Sequence, residues 1–134
     1  MNIKKFCTLN ALLSVLIGAV IYYLFRPNTL FLTWLHINSL SPDISYKDDI
    51  GILNHLPDFL WSYSLSFALY RQHFPSIRKA AFLSFITIVF GGVWEILQFS
   101  SYVSGTCDIF DIVAYGVGSI TALCIYYLFK RRKQ

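Results

Sequence analysis

The sequence predicts an all-α fold: a polytopic membrane protein built as a four-helix transmembrane bundle, with an extra interfacial helix. Composition is the first sign. Of 134 residues, 56 % are apolar, 18 % are aromatic and 13 % are charged. That charged share is about half of what soluble domains carry. A soluble chain of this length has too little interior to hide so much apolar surface, whereas lipid can cover it. The second sign is a series of apolar runs near the length of about 20 residues that a span needs. The third is that basic residues collect on alternate loops, as the positive-inside rule requires. Residues 1–134 form a single integral membrane domain, with no internal repeat, low-complexity tract or linker.

The first span is Leu9–Phe25, flanked by Lys4, Lys5 and Arg26. Its basic start and apolar run are also those of a signal peptide. However, Tyr22-Tyr23-Leu24-Phe25-Arg26-Pro27 is bulky where cleavage needs small residues, so the span is read as an uncleaved anchor. Pro27–Leu40 follows and is half apolar (Leu30, Phe31, Leu32, Trp34, Leu35, Ile37). It is short for a span and ends in Ser41-Pro42-Asp43. An interfacial helix with Trp34 at headgroup depth fits it, with a re-entrant hairpin as the alternative. The remaining spans are Ile50–Tyr70, Ala80–Ser100 and Asp108–Phe129. All are apolar around the whole circumference, as lipid-exposed or buried helices are.

Lys4 and Lys5 precede the first span, Arg71, Arg78 and Lys79 separate the second and third, and Lys130, Arg131, Arg132 and Lys133 follow the fourth. Both termini are therefore expected in the cytoplasm of a cell-membrane protein, with the loops near 26–50 and 101–107 outside. The net charge of +4 resides mostly at these ends and one loop. That leaves no basic face for nucleic acid. Cys7, Cys107 and Cys124 lack metal-type spacing and read as small apolar fillers.

The chemistry lies in acids inside or at the edge of apolar spans. An ionised carboxylate at the centre of a span costs about 2.5–3.5 kcal/mol on insertion scales. At about 1.5 Å per residue from the cytoplasmic ends, Asp58 lies near 20 Å, His55 and Glu95 near 24 Å and Asp111 near 28 Å. Separate helices thus place their polar groups in one layer of the outer half. Facing agrees: His55 and Asp58 stand at i, i+3, as do Glu95 and Gln98, while Asp108, Asp111 and Tyr115 stack at i, i+3, i+7. Ala114, Gly118 and Ala122 form a small-residue ridge that allows close helix approach, and Gly91-Gly92 can do the same on the third span.

Ordinary structural roles compete with a site. Asp108 can be a helix N-cap and Asp111 a first-turn acid favoured by the helix dipole. Pro57 can open a helix, which would make Asp58 a first-turn acid too. His55 can be an interfacial histidine in water. Glu95 resists such explanations, because it lies late in its span where the dipole opposes an acid.

Trp94-Glu95-x-x-Gln98, then Gly105-Thr106-Cys107-Asp108, then Asp111-x-x-x-Tyr115-Gly116-x-Gly118 resembles the C-terminal half of VanZ-like membrane proteins. There an E-x-x-Q on one span precedes a loop and a D-x-x-x-N-x-x-G helix start. Asn54-His55-Leu56-Pro57-Asp58-Phe59-Leu60-Trp61 resembles the start of the family's preceding span. The likeness covers roughly the last 80 residues. Two features depart from the family pattern: no Arg lies in Ser100–Cys107, and Tyr115 stands in place of the usual Asn. The resemblance implies a cell-envelope role, including lipoglycopeptide-type antibiotic resistance in some members, and supplies no mechanism.

The leading expectation is an outer-leaflet polar site that binds or modifies a lipid-linked or cell-wall ligand. Glu95, Asp58 and Asp111 would be its catalytic carboxylates, and His55, Gln98, Asp108, Tyr115 and Trp61 its ligand-binding residues. A buried carboxyl suits general acid/base work. Other readings are a non-catalytic assembly subunit, a metal-dependent enzyme using the N and O ligands of His55, Asp58, Glu95, Asp108 and Asp111, and an ion-coupled transporter. The lower span halves hold no strongly ionisable residue, which argues against a transport path, and four helices would need a second copy of the chain. No nucleophile triad, phosphate-binding loop or dinucleotide fingerprint is present. Cofactor and metal are left unassigned.

Overall fold

A computed structural model describes residues 2–25, 51–100 and 108–132, which form four helices and no strand. In chain order these are α1 Ile3–Phe25, α2 Gly51–His73, α3 Ile77–Phe99 and α4 Ile109–Arg131. Each has 23 residues, hence a length of about 35 Å, enough to cross a hydrocarbon core of about 30 Å. The expected interfacial helix 27–40 with Trp34, and the 101–107 loop with Cys107, lie outside the described residues.

Among the described residues, three helices are long and apolar enough to cross a membrane: α1 over Ile3–Ile21, α3 and α4. The sequence reads all four spans as apolar all round, and α2 is the least apolar of them. The reason is its position: α2 packs against α1, α3 and α4, so its polar side chains meet helices rather than lipid. Ser64 Oγ donates to the Ala11 carbonyl of α1 at 2.9 Å, and Tyr63 Oη donates to Asn10 Oδ1 at 2.6 Å. Ser66 Oγ lies 3.4 Å from Thr87 Oγ1 of α3 and 3.5 Å from Ser119 Oγ of α4. Interhelical hydroxyls of this kind hold membrane bundles together.

Chain direction follows from these contacts. Phe6 stacks on Phe129, and the Lys130 ammonium donates to the Pro75 carbonyl at 2.9 Å. The start of α1, the α2–α3 turn and the end of α4 therefore share one end of the bundle. Helices α2 and α4 run parallel, and α1 and α3 run against them.

Local chemistry sets the helix ends. Ser76 caps α3, accepting from the Lys79 amide. Asp108 caps α4 in extended backbone and accepts from the Phe110 amide at 2.9 Å. Lys130 and Arg131 stand in the last turn of α4, where the dipole favours cations. Pro57 does not open α2: the helix starts at Gly51, so Pro57 is internal and Asp58 is not a first-turn acid.

The interior is layered along the bundle axis. The half near the α2–α3 turn is aromatic, with Tyr63, Phe67, Tyr70 and Tyr126 packed around Cys7, Ala80 and Ala122. Tyr70 Oη is hydrogen-bonded to Ser84 Oγ, and Tyr126 Oη donates to the Pro75 carbonyl at 2.9 Å. Midway come the buried hydroxyls of Ser62, Ser66, Thr87 and Ser119. Here Gly118 brings α4 against α2: a Cβ at that position would run into Ser62 Oγ and the Phe59 carbonyl. The acids occupy the far end. Outward faces are lined by exposed Leu16, Phe82, Phe85, Ile96 and Ile120. Polar atoms inside and large apolar side chains outside invert the soluble pattern and match a lipid solvent.

Candidate functional site

The far end joins the N-terminal turns of α2 and α4 to the last turns of α3. Helix N-termini carry partial positive charge and free amides, so this end favours carboxylates. Glu95 shows how that is used. It lies near the C-terminus of α3, where its own helix dipole opposes it, and it is only 2 % exposed. Its Oε2 accepts the Asp108 backbone amide of α4 at 3.1 Å. A neighbouring helix N-terminus thus supplies the donor that α3 lacks.

Tyr115 links two of the acids. It is buried, and its phenol lies 3.1 Å from Asp58 Oδ1 on α2 and 3.5 Å from Glu95 Oε1 on α3. A phenol carries one proton and can also accept. It therefore donates to Asp58, the nearer acceptor, and can accept from Glu95 when that carboxyl carries a proton. Gly91 makes room for the ring, since a Cβ there would overlap Tyr115.

His55 links to the third acid. Its Nδ1 is 2.5 Å from Asp111 Oδ1, while its Nε2 is 4.0 Å from Asp108 Oδ2. The His55 and Asp111 side chains are 25 % and 16 % exposed, and Asp108 is 40 % exposed. A carboxylate on Nδ1 fixes ring orientation and tautomer, leaving Nε2 for an incoming group. Phe110 lies 5.6 Å from the imidazole, centroid to centroid.

The expected convergence of helices is present: His55 and Asp58 both face α4, and the Glu95 carboxylate reaches Tyr115 and the Asp108 amide. Among the described residues, the arrangement is a packed hydrogen-bonded network, and two open clefts lie at the opposite end. Asp108 is an N-cap and Asp111 a first-turn acid, so both ordinary roles hold alongside the His55 contacts. Gln98 lies partly buried, close to one turn beyond Glu95. Trp61 stands apart: it is half exposed and stacks on Phe90 of α3 at 5.8 Å.

Sequence reading missed the hydroxyl layer and the backbone amide of Asp108. Ser62, Ser64 and Ser66 alternate like strand residues, which hides that Ser62 and Ser66 share a helix face while Ser64 turns to α1. A strict i, i+4 count would have found them.

Chemically, the network offers a buried carboxyl, a phenol between two acids and a partly exposed histidine held by an aspartate. These parts can move a proton or hold a polar headgroup. Among the described residues, no Ser, Thr or Cys side chain is bonded to His55, so nucleophilic catalysis through it has no partner there. No three His, Cys, Asp or Glu side chains among the described residues group so as to hold a metal ion, so a metal-dependent reaction finds no ready ligand set there. Comparison of the chain with protein-family models, with curated proteins and with solved structures gives no match.

Proposed function

We propose that this chain is a multi-pass cell-membrane protein, VanZ-like in kind, whose acid–histidine–tyrosine network takes a polar group of a lipid-linked or cell-wall ligand at the outer leaflet. One observation carries this reading. In a bundle whose outer faces suit lipid, the described acids gather at one end and the described basic residues of the helix ends at the other. Intramembrane acids are functional candidates by default. His55, through Nε2, is the group a ligand meets first, Asp111 positions it, and Glu95 with Tyr115 holds or exchanges a proton behind it. In this reading α2 is the fourth span, its polar side chains turned inward, and positive-inside bias puts both termini in the cytoplasm.

Two expected results test it. A membrane-impermeant maleimide should label Cys107 in intact cells and leave a cysteine placed at Gln134 unlabelled until the membrane is opened. The reverse pattern would invert the topology. His55→Ala should abolish whatever protection the chain gives its host under lipoglycopeptide challenge, while the purified bundle melts within a few degrees of the parent. Loss of one partly buried charge-assisted bond costs about 1–2 kcal/mol.

A second reading is favoured by a specific feature: each acid of the network is bonded within the protein. Such a network can serve only to pair helices, as in an assembly subunit. It predicts the opposite for His55→Ala, with lowered melting and retained protection wherever the protein still accumulates.

A further inference from the structure

The end opposite the acids carries two clefts and several cations that make no ion pair among the described residues. Lys4 begins α1, Arg71 closes α2, Lys79 lies in the first turn of α3 and Lys130 in the last turn of α4. Among the described residues, the ion pairs involve only His55 at the far end. One cleft, of about 200 Å³, is lined by Lys4, Arg71, Gln72 and Phe74. The other, of about 310 Å³, lies on Phe82, Leu83 and Pro75, with His73 and Lys79 beside them. The α2–α3 turn contributes to both, through Phe74 and Pro75.

That turn is strained. Phe74 adopts φ 44°, a left-handed conformation that a bulky L-residue rarely takes. Glycine is the usual solution at such a helix end. Here the phenyl ring is retained, 40 % exposed, with the Lys4 ammonium 5.1 Å from its centroid. The ring thus faces the Lys4 ammonium, and Arg71 lines the same cleft. Backbone strain persists where the surrounding structure over-determines it and often where function uses it.

We infer that the Lys4–Arg71–Gln72–Phe74 cleft binds the phosphate headgroup of an anionic phospholipid. Arg71 and Lys4 supply charge and donors for a phosphate. Gln72 adds a neutral donor for glycerol or headgroup hydroxyls. Phe74 sits as interfacial aromatics do, at the junction of apolar helix and charged rim. A lipid suits the place better than a free anion, because the cleft lies at the ends of membrane-length helices and the neighbouring one offers Phe82 and Leu83 to an acyl chain. Basic clusters beside spans attract anionic leaflets in general. A built site differs from such diffuse attraction in depending on two particular cations.

The full-length protein in neutral detergent, titrated with phosphatidylglycerol or phosphatidylcholine and read by native mass spectrometry, tests this. Ammonium acetate near physiological ionic strength screens exposed charges beyond a Debye length of about 8 Å. Phosphatidylglycerol should bind about ten-fold more tightly than phosphatidylcholine, and Lys4→Ala with Arg71→Ala should erase that preference. Lys5→Ala with Arg132→Ala removes the same charge elsewhere at this end and should change it by less than about two-fold. Both pairs are exposed, so both should melt with the parent in phosphatidylcholine. Phe74→Gly relieves the strained φ and should melt no earlier than the parent yet bind phosphatidylglycerol more weakly. Inorganic phosphate should not compete. Equal losses for the two pairs would mean diffuse attraction and overturn the site, as would full phosphatidylglycerol preference in the Lys4/Arg71 pair. Competition by inorganic phosphate at matched concentration would overturn the lipid as occupant.

Discussion

Glu95→Gln should give a bundle that folds within about 1 kcal/mol of the parent but no longer functions, whereas Glu95→Ala should lose about 3 kcal/mol. The difference rests on what the carboxylate does. Its Oε2 accepts the amide of Asp108, and its Oε1 faces the Tyr115 phenol. A glutamine keeps one acceptor for that amide and can donate to the phenol oxygen, while Tyr115 goes on donating to Asp58. It also removes the insertion cost of a charge. Alanine leaves the amide without this acceptor and opens a void in a layer where Glu95 is almost fully buried. Thermal unfolding in detergent measures stability, and growth under lipoglycopeptide challenge, the assay of the proposed function, measures activity with membrane-fraction levels checked. The helix-pairing reading gives a different pattern, with function tracking accumulation in all variants and the glutamine protein remaining active. Glu95→Gln with undiminished protection would therefore move the assembly-subunit reading ahead of the ligand-site reading.

The legible part of this protein was what depends on length, charge sign and helical spacing. Four helices fall close to the expected limits, because apolar runs and capping residues such as Ser76 and Asp108 fix where helices begin. Depth counting from the basic ends placed His55, Asp58, Glu95 and Asp111 in one layer, and the structure joins them there through Tyr115 and the α4 N-terminus. Tyr115 was found by its i, i+7 relation to Asp108, although its link between Asp58 and Glu95 depends on packing that no spacing reveals. Composition is least decisive at α2, the least apolar of the four helices. A central helix can carry Ser62, Ser64, Ser66 and Tyr63 at little cost because its neighbours supply their partners, so a uniform apolar criterion undervalues the helix that organises the bundle. Trp61 was expected among the ligand-binding residues, and it stacks on Phe90 at the exposed surface. The main-chain donor to Glu95 could not be read from side-chain identities.

Gly118 should be the least replaceable small residue of the bundle. Gly118→Ala is expected to cost about 2 kcal/mol and Gly118→Leu about 3 kcal/mol or more, the range for forcing atoms into a packed interior. A Cβ there meets Ser62 Oγ and, more seriously, the Phe59 carbonyl of α2. A side chain can rotate, whereas a helix backbone must be pushed away as a unit. Ser62→Ala introduced with Gly118→Ala should accordingly recover part of the loss and leave the share due to Phe59. Gly91→Ala forms an intermediate case, because its Cβ meets the Tyr115 ring. That ring can shift only by weakening its contacts with Asp58 and Glu95. Gly92 and Gly116 have nothing within 4 Å of an added Cβ. Alanine there should be neutral or stabilise by about 0.5 kcal/mol through helix propensity. Thermal unfolding of the five single variants in one detergent gives the ranking. The His55–Asp111 and Asp58–Tyr115 contacts span the same α2–α4 interface, so the order should repeat in the functional assay with Gly118→Leu inactive. If Gly118→Ala instead melted with Gly116→Ala, α2 and α4 would not be in backbone contact, and the shared interface that carries the acid network would have to be abandoned.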